Sequence, residues 1–292
     1  MVFGRVLTAM VTPFNEQMEV DYEQAKKLAC YLVEHGNDGL VVAGTTGESP
    51  TLSAEEKIKL FKVVKEAVGD KALVIAGTGS YDTMASIKLT KEAEKVGVDG
   101  IMLVVPYYSK PSQEGLYQHF KTIAAETKLP VLLYNIPGRT GINMEPETIA
   151  RLSEIDNIVA VKEASGKLDQ VSKIRALAKE DFVIYSGDDS LTLPILAVGG
   201  YGIISVVGHV AGEQIREMVQ LYLDGQVEAA AKMHIKLYDL FKTMFITANP
   251  VPIKYALNLK GMNVGPVRLP LVEANDKEKA AIKACLEKLE LL

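Results

Sequence analysis

Short, almost wholly apolar runs alternate along this chain with longer segments whose apolar positions recur at helical spacing. VLTAMVTPF (6–14), GLVVAGTTG (39–47), LVIAGTG (73–79), IMLVVPYY (101–108), VLLYNIP (131–137), IVAVKEAS (158–165), FVIYSGDD (182–189) and GIISVVGHV (202–210) read as strands. They are apolar at consecutive rather than alternate positions, as expected of parallel strands covered on both faces. Helices fill the intervals. One runs from Asp21 to His35 behind a capping Asp21, and another opens at Ser53 with Glu56 three places on, the pattern of a capping box. Others lie near 82–96 and 113–126, from Pro146, near 169–178, and just before Gly199-Gly200. Eight such units predict a (β/α)8 TIM barrel. A doubly wound sheet rarely needs eight evenly spaced units, and no GxGxxG follows the first strand.

From Gly212 onward the pattern is helical without strands. A helix is predicted over Gln226–Ile246, then a Pro-containing loop ANPVPIK (248–254), then a last helix near Lys277–Leu291. The reading is a catalytic barrel over 1–224 and a C-terminal helical domain over 225–292.

Composition narrows the function classes. The 292 residues are 48% hydrophobic with a net charge of −5, and Lys and Arg are scattered. That balance predicts neither a nucleic-acid footprint nor attraction to anionic membranes. No apolar run approaches the ~18 residues of a membrane span. The N-terminal MVFGRVLTAMVTPF lacks the pattern of a signal peptide, so a cytoplasmic protein is expected. Cys30 and Cys285 belong to no CxxC or Cys/His cluster, so neither a metal site nor a disulfide is predicted.

In a barrel of this kind the chemistry gathers at the C-terminal ends of the strands. Lys162 interrupts the apolar run IVAV, which places an ammonium inside or at the mouth of the barrel. Burial lowers the pKa of such a group, and a neutral amine is the nucleophile for a ketone. The alternative is a structural lysine paired with Glu163 or Asp188. Glu163, next along the strand, points to the opposite face. Thr45 and Thr46 lie between glycines in a turn that suits a small carboxylate or phosphate, or that simply joins a strand to a helix. Tyr134 sits on the strand beside Lys162, placed to pass protons or simply to fill the core. Arg139 follows Pro137-Gly138 in a loop, where a guanidinium can clamp a carboxylate or stay solvated. His119 and His209 read as structural.

Taken together, GTTGES (44–49), PYYSKPSQEGLYQHF (106–120), YNIPGRTG (134–141), VKEASG (161–166), SGDD (186–189) and NPVPIK (249–254) resemble the dihydrodipicolinate synthase family, from about Gly4 to Leu292. That family belongs to the pyruvate-dependent Schiff-base aldolases. The resemblance implies a barrel with a C-terminal helical domain and a condensation of pyruvate with L-aspartate 4-semialdehyde on the route to diaminopimelate and lysine. It implies no metal and no organic cofactor. Lys162 would form the imine. Tyr134, Thr45 and Tyr108 would relay protons, with Tyr108 supplied by a neighbouring subunit of a homotetramer or dimer. Thr45 and Thr46 would bind the pyruvate carboxylate, and Arg139 the carboxylate of the semialdehyde. The backbone of Gly187 and Ile204 would complete the site.

Two other readings compete. N-acetylneuraminate and 2-keto-3-deoxysugar lyases share the lysine and tyrosine but generally lack the arginine of YNIPGRT. A non-catalytic barrel that binds a small acid would have no reason to keep every relay residue. The resemblance also bears on feedback. Lysine-sensitive members hold lysine at a subunit interface with a glutamate, an asparagine and a histidine. The matching positions here are Ala85, Tyr81 and Lys57, while Ser49 and Tyr107 remain. Weak or absent inhibition by lysine is expected.

Overall fold

A computed structural model describes residues 3–292. Eight parallel strands close into a barrel in sequence order: β1 (Val6–Ala9), β2 (Gly39–Val42), β3 (Leu73–Gly77), β4 (Gly100–Val104), β5 (Val131–Asn135), β6 (Ile158–Glu163), β7 (Val183–Ser186) and β8 (Gly202–Ser205). The predicted (β/α)8 barrel is the observed one. Each strand stops earlier than the apolar run that announced it. The trailing glycines, threonines and tyrosines leave the ladder and form the loops where chemistry is expected.

The helices in chain order are α1 (Tyr22–Glu34), α2 (Ala54–Val68), α3 (Thr83–Val96), α4 (Gln113–Ala124), the single turn α5 (Pro137–Thr140), α6 (Pro146–Ser153), α7 (Leu168–Leu177), α8 (Thr192–Ala197), α9 (Gly208–Leu223), α10 (Val227–Thr243), α11 (Val251–Leu259) and α12 (Asp276–Lys288). Their starts follow local chemistry. Asp21 caps α1 through the Gln24 N–H, and Ser53 and Glu56 form the reciprocal box that opens α2. Beyond the strand ends, three assignments differ in kind from the sequence reading. Arg139 lies on the turn α5 rather than in an open loop, because Pro137 presets the first helical φ and Gly141, at φ 72°, ends it. The run read as an eighth strand to Val210 is already helix from Gly208. NPVPIK is not a loop throughout: α11 starts at Val251, with Pro252 in its first turn, where a missing N–H costs nothing.

Two apolar clusters hold the fold. Phe3, Leu7, Ala9, Val41, Ile75, Met102, Leu132, Tyr134, Ala160, Tyr185 and Ile204 fill the barrel interior. The larger cluster seals strands to helices. A fully buried Leu or Ile contributes roughly 1.5–3 kcal/mol relative to exposure. The N-terminal mouth is plugged, with the Tyr185 hydroxyl donating to the carbonyls of Phe3 at 2.8 Å and Gly4 at 3.0 Å.

The C-terminal helices are tied to the barrel by charge as well as packing. Glu48, after β2, meets Lys254 on α11 at 2.7 Å, and both side chains are about 2% exposed or less. Arg268 donates its backbone N–H to Glu48 and pairs with Glu56 on α2. The Lys254 ammonium and the Arg268 guanidinium both lie over the ring of Phe14.

Candidate active site

Side-chain alternation on β6 sends Ala160 and Lys162 into the barrel and Val161 and Glu163 outward. Lys162 is registered between Tyr134 on β5 and Tyr185 on β7. Its Nζ lies 4.4 Å from the Tyr134 ring centroid, and only 4% of the residue is exposed. Among the described residues no carboxylate forms an ion pair with it. Glu163 is spent on the outer face, accepting from Asn135, Gln170 and the Ser165 N–H. Asp188 accepts from the N–H and hydroxyl of Ser190. The structural pairings that competed for Lys162 are therefore absent.

Burial pulls the Lys162 ammonium down to about 8, opposed by the charge of Asp189 and assisted by that of Arg139. Asp189 is the carboxylate the sequence reading left unassigned. It is 2% exposed, and the Ser205 hydroxyl and the Val206 N–H hold it. Burial pushes it up to about 6 against those donors. The signal for it was present in SGDD, but two adjacent aspartates look alike until burial separates them.

Gly187 packs directly on the lysine. A Cβ there would lie 3.2 Å from the Lys162 Cε and 2.7 Å from the Ala164 Cβ. Its N–H is spent on the Glu163 carbonyl at 2.8 Å, so what it can offer a ligand is its own carbonyl. Ile204 lies in the same interior cluster as Tyr134.

Tyr134 is fully enclosed, and burial pushes its phenol up to about 12, opposed by the Thr45 hydroxyl and by Arg139. It lines a cavity of about 200 Å³ with Gly44, Thr45, Ser49, Tyr107 and Arg139. Thr46 lies beside that wall, 2% exposed. The turn that carries both threonines is strained: Ala43 and Glu48, at φ 54° and 56°, are non-glycine residues in the left-handed region. The N–H groups of Thr45 and Thr46 meet no acceptor among the described residues. Such a turn presents donors to an anion.

Arg139 enters the cavity from α5, and its Nη2 donates to the Asn249 carbonyl at 3.2 Å. Asn249 also went unassigned in the sequence, where it was only one letter of NPVPIK. Tyr108 is the one expected relay residue that is not brought in. It is 94% exposed at φ 68° and does not line its own chain's cavity. Tyr107 lines the cavity and packs edge-on against Tyr81, ring centroids 5.2 Å apart.

His209 is satisfied at both nitrogens, by the Val11 N–H and the Val206 carbonyl, and burial pulls it down to about 4. His119 meets the Thr83 hydroxyl and is likewise pulled down by burial. Both stand clear of the cavity. Cys30 and Cys285 are free. No helix of the structure is long and apolar enough to cross a membrane.

A closed barrel whose C-terminal mouth gathers a neutralisable amine, a phenol, a donor-rich turn and a guanidinium belongs to an enzyme that works on small carboxylates. The comparison with known proteins narrows that class. The chain belongs to the dihydrodipicolinate synthetase family, whose family model matches residues 2–289, and it is a lyase. A 4-hydroxy-tetrahydrodipicolinate synthase from Desulforamulus reducens is 64% identical over 291 residues, 99% of this chain and 98% of that protein. One from Moorella thermoacetica is 63% identical over the whole of both chains. The crystal structure of DHDPS from Cyanidioschyzon merolae with lysine bound superposes with a TM-score of 0.98 at 49% identity, covering 99% of each chain.

Proposed function

We propose that this protein is a 4-hydroxy-tetrahydrodipicolinate synthase that condenses pyruvate with L-aspartate 4-semialdehyde through an imine on Lys162. The observation that carries the reading is Lys162 itself: enclosed, free of any carboxylate ion pair, held near 8, and in register with Tyr134. Full-length relatives of the same name support it.

The neutral amine attacks the pyruvate ketone, and water leaves as the imine forms. The cationic imine draws electrons from the methyl group and makes it acidic. Tyr134 and Thr45 move the protons, and the phenol, near 12, stays protonated through the working range. The enamine attacks the aldehyde carbon of the second substrate. The amine of that substrate then displaces Lys162 and closes the ring. Thr45 and Thr46 receive the pyruvate carboxylate in the donor-rich turn. The Gly187 carbonyl and the backbone at Ile204 complete the wall beside the lysine. Arg139 receives the carboxylate of the semialdehyde.

Tyr108 fits a role in the site of a second subunit. An exposed aromatic side chain on strained backbone that does not line its own chain's cavity is suited to another chain's cavity. The active unit is then a dimer or tetramer. A division into barrel and extension at 224/225 fits the turn between α9 and α10, with the Glu48–Lys254 pair fastening the two parts.

The test is a coupled assay with both substrates on the wild type and on Arg139→Ala. Wild-type turnover is expected. A charge-assisted contact contributes about 1.5–3 kcal/mol, so the variant should lose mainly affinity for the semialdehyde, by at least tenfold. An equal rise in KM for pyruvate counts against the assignment.

A further inference from the structure

Asn249 touches one residue from each of the two proposed carboxylate sites, Thr46 and Arg139. It stands just before α11, 203 residues from Thr46 in sequence, and is 5% exposed. Its Nδ2 donates to the Thr46 Oγ1 at 2.9 Å, and its backbone carbonyl accepts from the Arg139 guanidinium at 3.2 Å. The two contacts differ in kind, since one belongs to the side chain and the other to the main chain.

A threonine hydroxyl has one proton to give. A donor pressed against Oγ1 occupies it as an acceptor and forces that proton to point elsewhere. Among the described residues the Thr46 hydroxyl donates to no acceptor. Its proton is unspent, in a turn whose neighbouring N–H groups are also unspent. The neighbouring donors make a carboxylate the natural acceptor.

Resting on the function proposed above, we infer that Asn249 is a positioning residue: its side-chain amide sets the hydroxyl of Thr46 as a donor to the pyruvate carboxylate. The C-terminal extension thereby takes part in substrate binding as well as in stability.

Steady-state kinetics on Asn249→Ala, Asn249→Asp and Thr46→Val test this. One hydrogen bond amounts to about a tenfold change, so Asn249→Ala raises the pyruvate KM roughly tenfold. The KM for the semialdehyde changes by less than about twofold, because the carbonyl that meets Arg139 is retained. Asn249→Asp replaces the donor with an acceptor, draws the hydroxyl proton toward itself, and raises the pyruvate KM further than alanine does. Asn249→Ala added to Thr46→Val costs nothing more, since both remove the same bond. A drop in kcat with the pyruvate KM unchanged shows a merely structural role and overturns the inference. So does an aspartate variant that matches wild type, or additive effects in the double variant. If the wild type itself does not turn over pyruvate, the proposed function fails and this inference with it.

Discussion

Glu48 and Lys254 form an ion pair 2.7 Å apart with almost no solvent contact, joining the strained turn of the candidate site to α11. Burial pulls Lys254 down to about 8, although the charge of Glu48 opposes this. Removing one partner of a buried pair leaves the other charge uncompensated, at a cost of about 3–5 kcal/mol. Lys254→Met should therefore lower the urea midpoint sharply. Glu48→Gln/Lys254→Met, which removes both charges, should recover much of the loss. A double variant less stable than Lys254→Met would show that the pair is not the fastening described.

The pH dependence of imine formation follows from the environment of Lys162. Its pKa lies near 8 instead of the ordinary 10.5, so the reactive neutral amine accumulates as pH rises through about 8. The rate of adduct formation at low pyruvate should climb up to that point and then level off. Asp189 is the group that raises Lys162 against burial. Asp189→Asn should move the inflection to lower pH. An inflection near 10 in the wild type, or an upward move in the variant, would contradict the assigned electrostatics.

The barrel is legible in the sequence because parallel strands buried on both faces need unbroken apolar runs. Lys162 is legible because it breaks one of those runs. The outward direction of Glu163 follows from strand alternation alone, and its partners Asn135 and Gln170 bear that out. Periodicity does not show where a ladder stops, so the strands read too long. Nor does it bring together distant residues. The Asn249–Thr46 bond spans most of the chain, and an asparagine between an alanine and a proline carries no local mark. The choice between Asp188 and Asp189 turns on burial, which two adjacent identical letters do not encode.

Tyr108 should act across a subunit interface. Mixing Tyr108→Phe with Lys162→Ala under conditions of subunit exchange should restore activity in hybrids, because each hybrid carries one intact composite site. Verified hybrids that stay inactive would remove Tyr108 from the relay.

Lysine should inhibit weakly or not at all. Where the resemblance places a glutamate, an asparagine and a histidine, this chain has Ala85, Tyr81 and Lys57. Ala85 removes a partner for the ligand's ammonium, and Lys57 adds a like charge. Tyr81 fills space against Tyr107. Titration with L-lysine to millimolar levels at fixed pyruvate should leave most of the activity. Inhibition in the submillimolar range would show that these substitutions do not disable the pocket.

Lys162 carries the substrate in the proposed reaction. Incubation with pyruvate, reduction with borohydride and peptide mapping by mass spectrometry address it directly. One pyruvate-dependent mass gain per chain is expected, located at Lys162 and absent from Lys162→Ala. Modification at another lysine, or no pyruvate-dependent gain, would contradict it.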